Sequence, residues 1–169
     1  TDDANTLNFY FDYNDHAGEG KLYDNLPTEA NKSSLWGYTN TRQFVKGVVI
    51  NQNVIKYKDL KSTNSMFSGM NNASSIKGAE YLDVSSVTNM HGMFYGFGKS
   101  SINEVPAVER WNTSGVTDMG NIFFQYGMNS QNLNFALDLS GWDVSHVSAV
   151  SNEFSNTASK GTFSVTIPH

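Results

Sequence analysis

The residues best suited to chemistry are few and scattered. Asp12, Asn14, Asp15 and Glu19 crowd one short segment, and side-chain oxygens gathered in this way suit a calcium ion. A helix-loop-helix calcium loop needs glycine at its sixth place. With Asp12 as the first, Ala17 stands there and Gly18 comes one late, while Phe11 and Leu22 look like strand residues. A solvated hairpin turn is the expected reading, with calcium as the sharper alternative. The histidines are His16, His91, His146 and His169. No nucleophile elbow, zinc-binding helix or phosphate loop accompanies them. The 16 carboxylates could supply a pair for glycoside hydrolysis, but no spacing marks one out. Trp36, Tyr38, Tyr57, Tyr81, Tyr95 and Tyr126 could stack on a sugar or a protein partner, or serve as half-buried packing. The chain is expected to need no metal, nucleotide or organic cofactor.

Composition narrows the class. With 38% hydrophobic residues and 13% aromatics, the chain has enough apolar surface for a core and is not expected to be disordered. The net charge is −5 and the 11 Lys and Arg are dispersed, so the basic face of a nucleic-acid binder is missing. No cysteine is present, which removes disulfides and thiolate metal sites. No apolar run has the length of a membrane span, so no direct membrane insertion is expected. The chain starts with Thr rather than Met, as a mature or trimmed N-terminus would.

The elements that must position these residues repeat. LDVSSVTNMHGMF runs from Leu82 to Phe94, WNTSGVTDMGNIF from Trp111 to Phe123, and WDVSHVSAVSNEF from Trp142 to Phe154. A fainter copy, IKYKDLKSTNSMF, spans Ile55 to Phe67. The closing residues Phe67, Phe94, Phe123 and Phe154 lie 27, 29 and 31 residues apart. Such a period is the signature of stacked repeats, in which one copy cannot bury its own apolar face.

Each copy has two halves. In the second, Val87, Met90 and Phe94 stand at i, i+3 and i+7, as do Val116, Met119 and Phe123, and Val147, Val150 and Phe154. That spacing predicts one face of a short amphipathic helix. Ser85, Ser114 and Ser145 precede each face as expected N-caps. Gly96, Gly127 and the Ser155–Asn156 pair follow as expected helix stops. The first half is strand-like. Phe135, Leu137 and Leu139 alternate with polar or small residues, and Phe163, Val165 and Ile167 do the same, which predicts strands with one buried face. Ala79–Leu82 and Val105–Val108 are weaker strand candidates. Asp83, Asn112 and Asp143 share one place between the halves, where such side chains close tight turns. The expected fold is therefore α/β: a leucine-rich-repeat-like right-handed solenoid of short strand plus short helix repeats, with about four repeats over residues 55–169. Residues 1–54 carry no repeat. Leu7–Phe11, Lys21–Asp24 and Phe44–Ile50 read as strands of a β-rich N-terminal cap that covers the first apolar layer.

The string Asp-Val-Ser-x-Val-Thr-x-Met-x-x-Met-Phe, from Asp83 to Phe94, resembles the repeat of the BspA-like leucine-rich-repeat surface proteins of bacteria. The likeness is strong over residues 82–94 and 111–123 and weaker over 142–154, where Val150 stands for the usual Met and Glu153 for an apolar residue. The cysteine that common versions carry near the helix end is missing here. The resemblance implies an extracellular or cell-surface location and a non-catalytic interaction module, adhering to a host or matrix protein or a glycan. It supplies no catalytic residue. A carbohydrate-active or other hydrolytic enzyme, or a structural spacer, are the alternatives.

Packing and turn residues occupy the repeat skeleton, so specificity is expected where copies differ. Ser86, Gly115 and His146 share one place, and His91, Gly120 and Ser151 another. The insertions around Ser100–Asn103 and Asn129–Asn132 are expected to form loops.

Overall fold

A computed structural model describes residues 6–9, 42–56, 60–100, 102, 104–130, 134–148, 151–155, 157 and 162–168. Among the described residues there are five short strands: β1 (Thr6–Phe9), β2 (Gly47–Ile50), β3 (Ser75–Lys77), β4 (Asn134–Asp138) and β5 (Thr162–Thr166). β1, β2 and β3 form a parallel sheet in that order, with Thr6 opposite Gly47 and Gly47 opposite Ser75. β4 and β5 form a second parallel pair, with Asn134 opposite Thr162. Three short 3-10 helices, Arg42–Phe44, Gln52–Lys56 and Ala79–Tyr81, complete the regular structure of the described residues.

This corrects the expected α/β leucine-rich-repeat-like solenoid of strand-plus-helix repeats. No α-helix occurs among the described residues, and the arrangement is a small β-rich one built from short parallel strands and stacked turns. The bonds of residues 90–98 show why. Met93, Tyr95 and Phe97 donate their N–H groups to Met90, Gly92 and Phe94, three residues back, instead of the four-residue step of an α-helix. The intervening N–H groups leave the segment. Those of Gly92, Phe94 and Gly96 donate to Gly120, Ile122 and Phe124 of the next copy, at 2.8, 2.9 and 2.8 Å. The same pattern joins Ser65, Phe67 and Gly69 to His91, Met93 and Tyr95, and Asn121, Phe123 and Gln125 to Ser151, Glu153 and Ser155. Each segment is thus a run of tight turns whose alternate amides bind the neighbouring run. Left-handed backbone recurs at matching places, at Ser65, Gly92, Asn121 and Asn152 (φ 55°, 58°, 58° and 55°). A right-handed helix cannot pass through such residues.

The apolar spacing was nonetheless a true sign of burial. Val87, Met90, Phe94, Val116, Met119 and Phe123 are buried. Val147 and Phe154 pack partly buried against the same core, and Val150 lies outside the described residues. The phenylalanines form a column. Phe67 stacks on Phe94 at 5.5 Å, Phe94 on Phe123 at 5.2 Å, and Phe123 on Phe154 at 5.6 Å between centroids. Trp111 and Trp142 stack at 6.2 Å, and their indole N–H groups donate to the carbonyls of Ala79 and Val108 at 3.0 and 2.9 Å. Buried indoles need such partners. Phe97 and Tyr126 make a further stacked pair. The buried Tyr126 hydroxyl donates to the Glu104 carbonyl at 2.6 Å, and burial, then the Glu104 charge, push its pKa well up.

Other expectations separate in the same way. The alternating segments 135–139 and 163–167 do supply β4 and β5, with Leu137 and Leu139 buried and Ala136 and Asp138 exposed, but the expected buried face fails in the second, where Val165 is half-buried and Ile167 is 56% exposed. Ala79–Leu82 is no strand, because Ala79–Tyr81 takes a 3-10 turn, and Val105–Val108 belongs to no strand. Phe44 falls in a 3-10 helix, 62% exposed, ahead of β2. Ser85, Ser114 and Ser145 cap no helix, and Gly96 and Gly127 stop none. They sit within turns, the two glycines with positive φ. The Asp12–Glu19 loop and the Lys21–Asp24 strand lie outside the described residues, as do His16, His169, Trp36, Tyr38 and Tyr57.

Candidate binding surface

Two rows of side chains follow from the turn ladder. In the first, Asp83, Asn112 and Asp143 accept the N–H of Ser85, Ser114 and Ser145 at 3.0, 3.2 and 2.9 Å. Their equivalent place is therefore a turn ladder, as the residue types predict. Val87, Val116 and Val147 then donate to Val84, Thr113 and Val144. Each four-residue turn carries Ser86, Gly115 or His146 at its third position. Ser86 and Gly115 are half-buried and His146 is exposed. The His146 ring lies beside the Ser145 hydroxyl at 3.1 Å. Hydrogen bonds from Ser145, its hydroxyl before its amide, hold the Asp143 carboxyl below the usual range, with a smaller contribution from His146. The bonds from Ser140, its amide before its hydroxyl, do the same for Asp138.

The second row comes together around Gly120. A Cβ there would lie 2.9 Å from His91 Nδ1 and 3.1 Å from Ser151 Oγ. Glycine thus makes room for its two row-mates to converge. His91 Nδ1 lies 3.3 Å from Asp118 Oδ1, an ion pair when the ring is protonated. Asn121 Nδ2 lies 3.4 Å from His91 Nε2. Ser151 donates its amide to the Glu153 carboxylate. His91, Gly120 and Ser151 form one cluster. Ser86, Gly115 and His146 occupy the separate turns five residues earlier in each copy.

Four residues after His91, on the same run of turns, Tyr95 begins an aromatic pair. Within residues 90–98 only His91 and Tyr95 reach solvent. Tyr95 is 41% exposed and stacks on half-buried Phe124 at 5.0 Å. At the far end Lys99 Nζ donates to Gln125 Oε1 at 3.3 Å. Of the other aromatic candidates, Tyr126 is buried and Tyr81 half-buried. The insertions do not simply form exposed loops, since Ile102 and Ser130 are buried. Asp118, Asn121 and Phe124 could have been found in the sequence by placing each beside its neighbour one period away.

The first ladder segment has an end to close. Arg42 Nη1 donates to the carbonyls of Ser65 and Ser68 at 3.1 and 2.7 Å. In the next copy the Tyr95 carbonyl, equivalent to that of Ser68, accepts from Gly69. The guanidinium takes the place of a preceding copy. Partial burial lowers its pKa from the usual arginine value. Among the described residues no three His, Asp or Glu side chains gather as metal ligands, and no helix is long and apolar enough to cross a membrane.

A family model described as a Mycoplasma protein of unknown function, DUF285, matches residues 58–162. That span holds all four copies of the closing phenylalanine, and the chain belongs to this family. The match supports the coarser part of the resemblance, a bacterial surface-protein family of unknown function. Leucine-rich repeats and an adhesin character are not part of it. No curated protein and no solved structure matches the chain.

Proposed function

We propose that this member of the DUF285 family is a non-catalytic binding module of a bacterial surface protein, adhering through its turn rows to a host or matrix protein or a glycan. The observation that carries the reading is a division of labour in the repeat. Backbone groups and inward side chains are used up between copies, while His91, Gly120 and Ser151, equivalent in register, differ and face one cluster. Variable side chains on a rigid frame are where recognition usually resides. The same division disfavours hydrolysis. Both ring nitrogens of His91 are engaged, with Asp118 and Asn121, so the ring is not turned as a base toward the Ser151 hydroxyl of the same cluster. The purified chain, immobilised and offered to host-cell layers and a panel of matrix proteins, should bind at least one. Combined His91→Ala and Ser151→Ala, at positions that reach solvent, should weaken that binding with the melting temperature little changed. Turnover of a polysaccharide or peptide substrate, abolished by a single carboxylate or histidine variant, would establish an enzyme instead.

A further inference from the structure

We infer that Tyr95 and Phe124, with the His91–Asp118–Asn121 cluster, form a stacking site for a neutral hexopyranose unit of a glycan. This names a ligand class for the binding surface and rests on the adhesion reading given above.

Register makes one face of the ring pair available. The equivalent positions in successive copies are Ser68, Tyr95, Phe124 and Ser155. Tyr95 stacks on Phe124, with an interplanar angle of 29°. On its opposite side the ladder places Ser68, a small residue where a third ring would continue the stack. Neighbouring ladder members lie about 4.8 Å apart, so the step above Ser68 is one ring thickness high. A pyranose offers a flat apolar face of C–H groups of that thickness, edged by hydroxyls. Aromatic faces attract such a surface.

The polar groups that precede the rings on the same two runs of turns suit hydroxyls. His91 reaches solvent on the same segment, four residues from Tyr95, 41% exposed. With Asp118 and Asn121 it offers a ring nitrogen, carboxylate oxygens and an amide. Donors and acceptors side by side match an alcohol, which is both. Charge around the rings is mixed, with Arg42 on the Ser68 carbonyl, Lys99 on Gln125 and Asp118 on His91, each already engaged, so hydroxyls suit the site better than an ion. An extended peptide fits less well. It would add to a free backbone edge, and here the amides of Gly92, Phe94 and Gly96 and the carbonyls of His91, Met93 and Tyr95 already bind neighbouring segments.

Saturation-transfer NMR on the whole chain, with methyl β-galactopyranoside, methyl β-glucopyranoside and methyl α-mannopyranoside as probes, tests this. At least one should receive saturation on its ring protons. Tyr95→Ala should weaken its binding about tenfold or more, and Tyr95→Phe should keep most of it. Ser68→Phe, which extends the stack over the open face, should block binding even if Tyr95→Ala fails to fold. No transfer to any of the three probes would overturn the inference, as would unchanged binding by folded Tyr95→Ala and Ser68→Phe. The same samples on a host-cell layer separate this from the adhesion reading. Adhesion without glycoside binding removes the glycan and leaves adhesion standing. Glycoside binding without adhesion supports the site and removes the adhesion reading.

Discussion

Replacing Phe94 by alanine tests the stacked column at its centre. Phe94 is fully buried and lies between Phe67 at 5.5 Å and Phe123 at 5.2 Å, with Trp111 at 6.5 Å. A phenylalanine buries about 150–250 Å², worth roughly 4–6 kcal/mol at about 25 cal/mol per Å². Alanine retains part of that, and its neighbours relax only in part around the cavity, so Phe→Ala losses run to about 3–5 kcal/mol. We expect a loss of about 4 kcal/mol for Phe94→Ala. Phe154 is the control. It stacks on Phe123 at 5.6 Å but stays half-buried at the last copy, where solvent can fill the space. Phe154→Ala should therefore cost about half as much or less, roughly 1–2 kcal/mol. The assay is urea unfolding followed by circular dichroism and by tryptophan fluorescence, to which the stacked Trp111 and Trp142 contribute beside Trp36. For a chain of this size the expected difference moves the melting point of Phe94→Ala about 8–16 °C below the parent. If Phe94→Ala loses no more than Phe154→Ala at equal denaturant slope, the column is not a continuous core and the reasoning fails.

Four further outcomes follow from local geometry. Thr63 Oγ1 is buried with no hydrogen-bond partner among the described residues, so Thr63→Val should gain about 1 kcal/mol in the same urea assay; a loss would show an unrecognised partner. Arg42→Ala removes two bonds to carbonyls of the first ladder segment and should cost about 1–2 kcal/mol, with amide exchange accelerated first in residues 63–69. Gly69 and Gly78 both have positive φ, but a Cβ on Gly78 would lie 2.0 Å from the Ile50 carbonyl oxygen, whereas Gly69 has open space to 3.8 Å. Gly69→Ala should cost about 1–2 kcal/mol and Gly78→Ala clearly more, measured as urea midpoints. Asp143 has a folded pKa lowered from 3.8 by the Ser145 bonds, so its contribution is present above the unfolded value and is lost as pH falls through the folded one. Carboxyl NMR titration should show the Asp143 pKa rise in Ser145→Ala, and Asp143→Asn should keep the turn, as Asn112 does.

The repeat period, the phenylalanine column and strands β4 and β5 were legible because they depend on alternation and equivalent spacing. The helices were misread because i, i+3, i+7 spacing is not unique to a helix. A run of turns that sends alternate amides to a neighbour also puts Val87, Met90 and Phe94 inside. Residues 92–98 contained the contrary signal, since Gly92, Gly96 and Gly98 in one short segment are poor helix formers. The serines ahead of each apolar face fitted an N-cap equally well as the middle of a turn, and only the direction of the amides distinguishes them. His91, Gly120 and Ser151 were found as the places where copies differ, but their convergence depends on Gly120 lacking a Cβ. Arg42 was beyond reach, because its partners Ser65 and Ser68 lie 23 and 26 residues away.

Polar side chains in these repeats divide into two kinds that composition cannot tell apart. Ser62, Asn89 and Asp118 occupy one register position, joined by parallel bridges. Each accepts the amide two residues ahead, that of Asn64, His91 or Gly120, at 3.2, 2.9 and 2.9 Å. A side chain held to that duty must be a short acceptor, whatever the protein binds. Two places later stand Asn64, His91, Gly120 and Ser151, from a ring to no side chain at all. No backbone duty common to all four limits that choice: Asn64, His91 and Ser151 reach solvent, while Gly120 is buried beneath its row-mates. Asp118 belongs to both kinds. One of its oxygens receives the Gly120 amide and also faces His91. The ring that leans over Gly120 is thereby tied to the turn beneath it, and the cluster is held by the same bonds that hold the fold.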